Sequence, residues 1–246
     1  MNLQGKVALV TGSAIRVGKA LACSLADQGC HVVVHYGRSD EQARATVAEI
    51  ENKGVRAWAI SADLGDEQAV SRLIDQAIDL AGTVDILVNS ASIFPEETFD
   101  TAASATWDRT MMVNLKAPFL LSQYFAERLT DGQQGKIINL LDASSMRPRN
   151  HHFSYTISKY GLEGLTKTVA HALAARNIQV NGIALGAILP NSNDADPKAF
   201  DAMAKTNPSG RNGDPQAVAD AMLYLLQQAD YVTGESICID GGQHLV

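Results

Sequence analysis

Residues 6–29 read KVALVTGSAIRVGKALACSLADQG. A short apolar run, 6–10, enters Thr11-Gly12, and helical spacing follows in Val17, Ala20, Leu21, Ser24 and Leu25. The pattern predicts a strand, a glycine turn, and a helix starting near Arg16 to Gly18. Gly12 permits a tight turn, and Gly18 permits close helix–strand packing. The start of such a helix offers free N–H groups and a positive dipole end to a pyrophosphate. Glycine-rich turns follow many strands, so the rest of the chain has to decide.

The alternation continues outward. Apolar runs recur at 31–35, 55–60, 85–88, 136–141, 178–183 and 236–239. Between them lie helical patterns such as Val70-Leu73-Ile74-Ala77-Ile78 and Ala219-Met222-Leu223-Leu226. Strands alternating with helices form βαβ units and a parallel sheet covered on both faces. The expectation is one α/β doubly wound Rossmann domain over 1–246, with about seven strands and six main helices. The stretch 186–213, rich in Asn, Asp and Pro, is the least regular. It is expected as an insertion over the ligand crevice, a candidate substrate lid.

The chain has 246 residues, 46% hydrophobic and 19% charged, ordinary for a globular protein with a sizeable core. Twenty basic residues against 27 acidic give a net charge of −7, which argues against a general nucleic-acid binder. Cys23, Cys30 and Cys238 make no Cys-x-x-Cys spacing, so neither a disulfide framework nor a structural metal site is expected. They are read as small buried apolar residues. The first residues lack the basic-then-apolar order of a signal peptide, and no apolar run approaches the roughly 18 residues of a membrane span. No membrane association is expected, and the expected location is the cytoplasm.

The second strand ends His35-Tyr36-Gly37-Arg38-Ser39, with no acid before Asp40. An NAD-selecting crevice usually places an acid there for the ribose 2′-hydroxyl. Tyr36, Arg38 and Ser39 instead offer donors and a planar cation suited to a 2′-phosphate, and Arg16 adds charge nearby. The expected cofactor is NADPH/NADP.

Further on, Tyr155 and Lys159 stand four apart in a helical segment and project from one face. A free phenol has a pKa near 10 and donates its proton sluggishly at neutral pH. A neighbouring ammonium favours the phenolate and makes the pair a usable acid for a group that accepts hydride.

In order and spacing these motifs resemble the short-chain dehydrogenases/reductases over nearly the whole chain. Thr11-Gly12-x-x-x-Arg16-x-Gly18 is similar to their glycine turn, and Asp63-Leu64 to their adenine-binding pair. Asn89-Ser90-Ala91-Ser92 stands where they carry Asn-Asn-Ala-Gly, and Asp240-Gly241-Gly242 matches their usual ending. The resemblance implies that Gly12, Arg16, Gly18, Asp63, Leu64, Asn89 and Gly186 border the cofactor. It implies that Lys159 also holds the nicotinamide ribose, and that Asn114 supports a proton-relay water. It further implies a homotetramer, or a dimer, built through helices at 107–128 and 153–176.

Two departures leave the proposed proton donor untouched: Ser90 replaces the second asparagine and changes the hydrogen bonds available there, and Leu185-Gly186 replaces Pro-Gly, which leaves the nicotinamide-side loop less constrained. A third bears on chemistry. The family's serine thirteen residues before the tyrosine is Asp142 here, with Ser144 and Ser145 close behind as possible substitutes. A hydroxyl donates to a carbonyl becoming an alkoxide, whereas an ionised carboxylate repels that charge. Asp142 suits a substrate with N–H donors, or a C=N bond protonated at nitrogen. That pattern resembles the pteridine reductase branch, which is also similar at Arg16, at the run from His35 to Ser39, and at Ser90-Ala91-Ser92-Ile93-Phe94. The resemblance implies an NADPH-dependent reductase of a pterin or folate. Asp142, Tyr155, Lys159 and Asn114 would be catalytic, and Arg16, Ser92, Phe94, Asp142 and Tyr155 would contact substrate. Phe94 would stack a flat ring.

The alternative is a reductase of ordinary carbonyls such as an oxoacyl thioester or a keto sugar. A cofactor-binding protein without catalysis would not need the Tyr155/Lys159 pair. His151 and His152 are expected in a loop, and His171 and His244 carry no local signal.

Overall fold

The computed structural model describes residues 1–143, 150–190 and 197–246. Its strands are β1 (Val7–Val10), β2 (His31–Tyr36), β3 (Ala57–Ser61), β4 (Ile86–Asn89), β5 (Gly135–Asp142), β6 (Ile178–Leu185) and β7 (Ser236–Ile239). They form one parallel sheet in the order β3-β2-β1-β4-β5-β6-β7. The strand order reverses between β1 and β4, which opens a crevice beyond their carboxyl ends.

The helices are α1 (Arg16–Asp27), α2 (Asp40–Glu51), α3 (Glu67–Ala81), α4 (Ser104–Met111), α5 (Ala117–Arg128), α6 (Phe153–Leu173), α7 (Pro197–Thr206) and α8 (Pro215–Gln227). A π-helical turn, Met112–Lys116, joins α4 to α5. α3 shows how local sequence sets an element. Asp66 caps it by accepting from the Gln68 N–H, apolar residues at Val70, Leu73, Ile74 and Ala77 make its buried face, and Gly82 at φ 87° ends it.

Because strand side chains alternate, each strand feeds two cores. Ala8, Val10, Val32, Val34, Ile86 and Val88 pack with Leu21 and Leu25 of α1 and Met222 of α8. Val7, Leu9, Val33 and Leu87 pack with Leu73 of α3 and with Leu121 and Phe125 of α5. Each such large apolar side chain contributes about 1.5–3 kcal/mol relative to exposure. With both faces covered, the strands are apolar throughout rather than alternating, which is why short continuous runs marked them in the sequence.

The structure departs from expectation in two places. The segment 186–213 contains a helix, α7, absent from the six anticipated. It is short and amphipathic within a polar stretch, so its period was masked by the surrounding Asn and Asp. Cys30 is buried as expected, but Cys23 and Cys238 are only partly so. Among the described residues, no helix is long and apolar enough to cross a membrane.

Candidate active site

A crevice of about 990 Å³ runs along the carboxyl ends of the strands. That is the upper end for a small-molecule site. At its β1 end, Gly12 has φ 65°, and a Cβ there would stand 2.9 Å from the Ala91 Cα. At Gly18 a Cβ would overlap the carbonyl oxygen of Gly12. Both glycines are therefore demanded by the turn itself. Thr11 ties the turn to β4: its Oγ1 accepts from the Ser90 N–H at 2.9 Å and the Ala91 N–H at 3.0 Å. α1 then starts at the crevice with no side chain capping its N-terminus. Its free N–H groups and dipole suit an anion.

Arg16 takes φ 57°, a left-handed conformation that costs a non-glycine residue about 1 kcal/mol or more. Its Nη2 donates to the Pro190 carbonyl at 2.6 Å, linking the glycine turn to the start of the 186–213 segment. His35 at the end of β2 is buried and neutral. Its Nδ1 accepts from the Gly12 N–H at 3.1 Å, while Nε2 donates to the Ala62 carbonyl at 3.0 Å. Burial pushes its pKa down to about 4, against the opposing bond to Ala62.

Tyr36 and Ser39 line the crevice. The Tyr36 hydroxyl donates to Asp40 Oδ1 at 2.6 Å, and Asp40 also pairs with Arg44 at 3.0 Å. The nearest acid is thus engaged elsewhere. α2 also begins without a side-chain cap at Ser39. Asp63 and Leu64, past the end of β3, line the crevice as expected. Together the uncapped helix starts, the glycine cradle and the polar rim fit a dinucleotide.

The chemistry-bearing residues meet at the β5 end. Asp142 is the last residue of β5, and Tyr155 lies one turn into α6. The Tyr155 hydroxyl donates to Asp142 Oδ2 at 2.7 Å, and both line the crevice. Lys159 sits one turn further on, 4% exposed, with Nζ donating to the Leu140 carbonyl at 2.7 Å and 5.6 Å from the Tyr155 ring centroid. Desolvation pushes the Lys159 pKa down from 10.5 to about 8, partly opposed by the Asp142 charge.

Several expected residues are placed otherwise. The Asn89 amide turns into the sheet and donates to Asn139 Oδ1 at 2.8 Å, and Asn139 donates on to Thr166. Asn89 does not border the crevice, because the strand's alternation points it inward. Arg38 is exposed and outside the crevice lining, although its charge helps hold the Asp63 carboxyl low. The Asn114 side chain is fully buried and bonded. It accepts from the Ile93 N–H at 2.9 Å and donates to the Ile93 carbonyl and to Ser158 Oγ. It clamps the loop after β4 to α6 through the π-helical turn, a distortion common at functional sites.

Ser92 lines the crevice and donates to Asn114 Oδ1 at 3.2 Å. Phe94 also lines it, but one face is occupied: it stacks on His152 at 3.6 Å between centroids and meets Tyr155 edge-on at 4.4 Å. His152, expected only as loop, adopts φ 55° at the start of α6, donates from Nδ1 to the Pro95 carbonyl at 2.7 Å, and borders the crevice. Gly186 lines the crevice, and a Cβ on it would stand 2.6 Å from the Asp240 Cα. Ser144 and Ser145, and positions 191–196 of the lid segment, lie outside the described residues.

Sequence reasoning also missed Glu97, whose buried carboxylate accepts from the Ser154 N–H at 3.0 Å at the start of α6. It missed Arg109, which pairs with Asp63 at the crevice edge. Neither sits in a spaced motif that a single sequence can reveal. Among the described residues, no group of three His, Cys, Asp or Glu is placed to hold a metal ion.

Known proteins share this fold. Residues 12–244 match the family model described as enoyl-(acyl carrier protein) reductase. The 3-oxoacyl-[acyl-carrier-protein] reductase FabG of Aquifex aeolicus is 35% identical over 245 residues, covering 98% of each chain. The crystal structure of FolM alternative dihydrofolate reductase 1 from Brucella canis, complexed with NADP, is 35% identical with a TM-score of 0.94, covering 100% of this chain and 96% of that one. A blue fluorescent protein from a metagenomic library, solved with NADPH, is 35% identical with a TM-score of 0.92, covering 99% of both.

Proposed function

The chain belongs to the short-chain dehydrogenase/reductase family of nicotinamide-dependent oxidoreductases, and from that premise we propose that it is an NADPH-dependent reductase of a pterin or folate. The observation that carries this is the 2.7 Å hydrogen bond from the Tyr155 hydroxyl to Asp142 Oδ2 at the edge of the crevice. A carboxylate, not an alcohol, stands beside the proton donor. An alkoxide about 4 Å from it would be repelled by roughly 4 kcal/mol at an effective dielectric of 20. A flat heterocycle with N–H and amino donors meets the same carboxylate as a partner.

When bound, NADPH would supply hydride for the ring carbon of a C=N bond. Gly12, Gly18 and the start of α1 would hold its pyrophosphate. Ser39 and the uncapped start of α2 would take the 2′-phosphate, with Arg38 adding charge from the rim, while the Tyr36 hydroxyl keeps Asp40 turned away from it. Tyr155 supplies a proton to the neighbouring nitrogen. Lys159 stabilises negative charge developing on the Tyr155 oxygen, and Asp142 orients the phenol while accepting from the substrate's amino edge. Asn114 acts at the site by fixing the loop that carries Ser92 and Phe94. With one face held by His152, Phe94 has its other face for a flat ring. Arg16 links the lid segment, 186–213, to the cofactor turn. The same reading includes a homotetramer through α4–α5 and α6, which expose Phe119 and Tyr160.

The FolM structure supports this reading. The FabG relatives favour a second one, reduction of an oxoacyl thioester. Steady-state NADPH oxidation with a dihydropterin and dihydrofolate, beside a panel of ketones and a 3-oxoacyl thioester, separates them. Turnover is expected with the pterin class and is expected to be lost in Asp142→Ser. Turnover of carbonyls only, unharmed by Asp142→Ser, would establish the second reading instead.

A further inference from the structure

Two clamps hold the loop after β4 against α6. The first is Asn114, which bonds both backbone groups of Ile93 and the Ser158 hydroxyl. The second is Glu97. Its carbonyl oxygen accepts from the Phe153 N–H at 3.2 Å, and its side-chain Oε1 accepts from the Ser154 N–H at 3.0 Å. Between the clamps lie two rings that border the crevice, Phe94 and Tyr155, edge-on at 4.4 Å between centroids. Ile93 and Glu97 bracket Phe94 along the chain, as Ser154 and Ser158 bracket Tyr155.

The Glu97 clamp fills a gap in α6. A helix start leaves its first N–H groups without intrahelical partners, and a side chain at the preceding residue ordinarily takes one of them. Here that residue is His152, left-handed, with its ring against Phe94 and its Nδ1 on the Pro95 carbonyl, so it caps nothing. The first turn of α6 holds no acidic residue either. The cap comes instead from 57 positions away. Glu97 is 7% exposed, and a glutamate is buried this far only where a partner receives it.

We propose that Glu97 is a positioning residue for the proton-transfer step: by capping α6 from the loop that carries Phe94, it fixes the Tyr155 hydroxyl relative to the wall that a substrate meets. The capped N–H lies one residue before Tyr155, so a loosened first turn moves the phenol directly. Asp142, which receives the phenol's hydrogen bond, is fixed in the ladder beside Leu185. The start of α6 must therefore be held from its other side, and that is where Glu97 acts. The geometry uses one oxygen at the right reach, so the acceptor matters and the charge does not. This rests on the reading that Tyr155 donates the proton, and it holds for either substrate class.

The test is steady-state reduction by NADPH of a dihydropterin, or of a 3-oxoacyl thioester if only that turns over, by the full-length protein and three variants. Glu97→Gln keeps the length and the oxygen without the charge. Glu97→Asp keeps the charge but is one methylene short, and Glu97→Leu keeps neither. Relative to wild type, kcat is expected to stay within about threefold in Glu97→Gln, to fall about tenfold in Glu97→Asp and to fall up to about a hundredfold in Glu97→Leu, the scale of a misplacement of roughly 1 Å. The dissociation constant of NADPH, read by nicotinamide fluorescence, should be unchanged in all three. Hydrogen exchange at the Ser154 amide should be slow in wild type and Glu97→Gln and fast in the other two. A cap that only stabilised the fold would lower Tm in Glu97→Asp and Glu97→Leu and leave kcat at the wild-type value, which overturns the proposal. The reverse order, Glu97→Asp active and Glu97→Gln impaired, overturns it too. If Glu97→Leu does not fold, the comparison of Gln with Asp decides. Both of those outcomes leave Tyr155 as the acid. A Tyr155→Phe variant as active as wild type, or a wild type that reduces neither substrate, removes that reading and the proposal with it.

Discussion

Lys159 gives the sharpest quantitative test, because it sets catalysis against stability at one side chain. Its ammonium is 4% exposed, and burial pushes its pKa from 10.5 to about 8 despite the nearby Asp142 charge. The gap between those values is worth about 3 kcal/mol. The unfolded chain keeps the proton to pH 10.5, whereas the folded chain gives it up near 8. Below pH 8 the folded state therefore bears the whole cost, and stability recovers as pH rises from 8 to 10.5.

Lys159→Met removes the buried charge. It also removes the 2.7 Å bond to the Leu140 carbonyl, whose loss returns about 1–2 kcal/mol. At pH 7 the variant should therefore be more stable than wild type by about 1–2 kcal/mol, a rise in Tm of roughly 2–8 °C for a domain of this size. Urea unfolding of the cofactor-free protein at pH 7, 8, 9 and 10 measures it. The advantage of the variant should hold near its full size from pH 7 to 8 and shrink from 8 to 10, while its activity is lost throughout. A variant less stable than wild type at pH 7, with a difference flat in pH, would refute the account of Lys159 as a strained buried cation.

Two further outcomes follow from the glycine turn. His35 is neutral in the fold, with its pKa at about 4 against 6.5 in the unfolded chain, so stability should fall as pH drops from 6.5 towards 4. Replacing His35 with Gln should flatten that window in acid-unfolding curves. Gly18→Ala places a Cβ against the Gly12 carbonyl, which is backbone and cannot swing away. It should cost about 1–3 kcal/mol in urea unfolding and weaken NADPH binding at least tenfold, because the anion-facing turn must shift.

The chain alone made the fold legible because a doubly covered parallel sheet forces continuous apolar runs separated by helical periods. The Tyr155/Lys159 pair and Asp142 were legible for a related reason. A four-residue helical step and the end of a buried strand are both local, so spacing nearly fixes where those side chains point. Asn89 shows the limit: one step of strand alternation turned its amide towards Asn139 rather than the crevice. Phe94 shows another, since its partner His152 is 58 positions away and no local pattern pairs the two rings.

Sequence by itself determined the sheet, the glycine turn and the helical pairing of Tyr155 with Lys159, because each is written in short-range patterns of polarity and glycine. Only the tertiary structure decided which polar groups are spent on one another. Arg109 fastens Asp63, Arg16 reaches Pro190, His35 pins Gly12, and burial weakens the hold of Lys159 on its proton. Those outcomes depend on distances between residues far apart in the chain and on exclusion of water, neither of which any local pattern encodes.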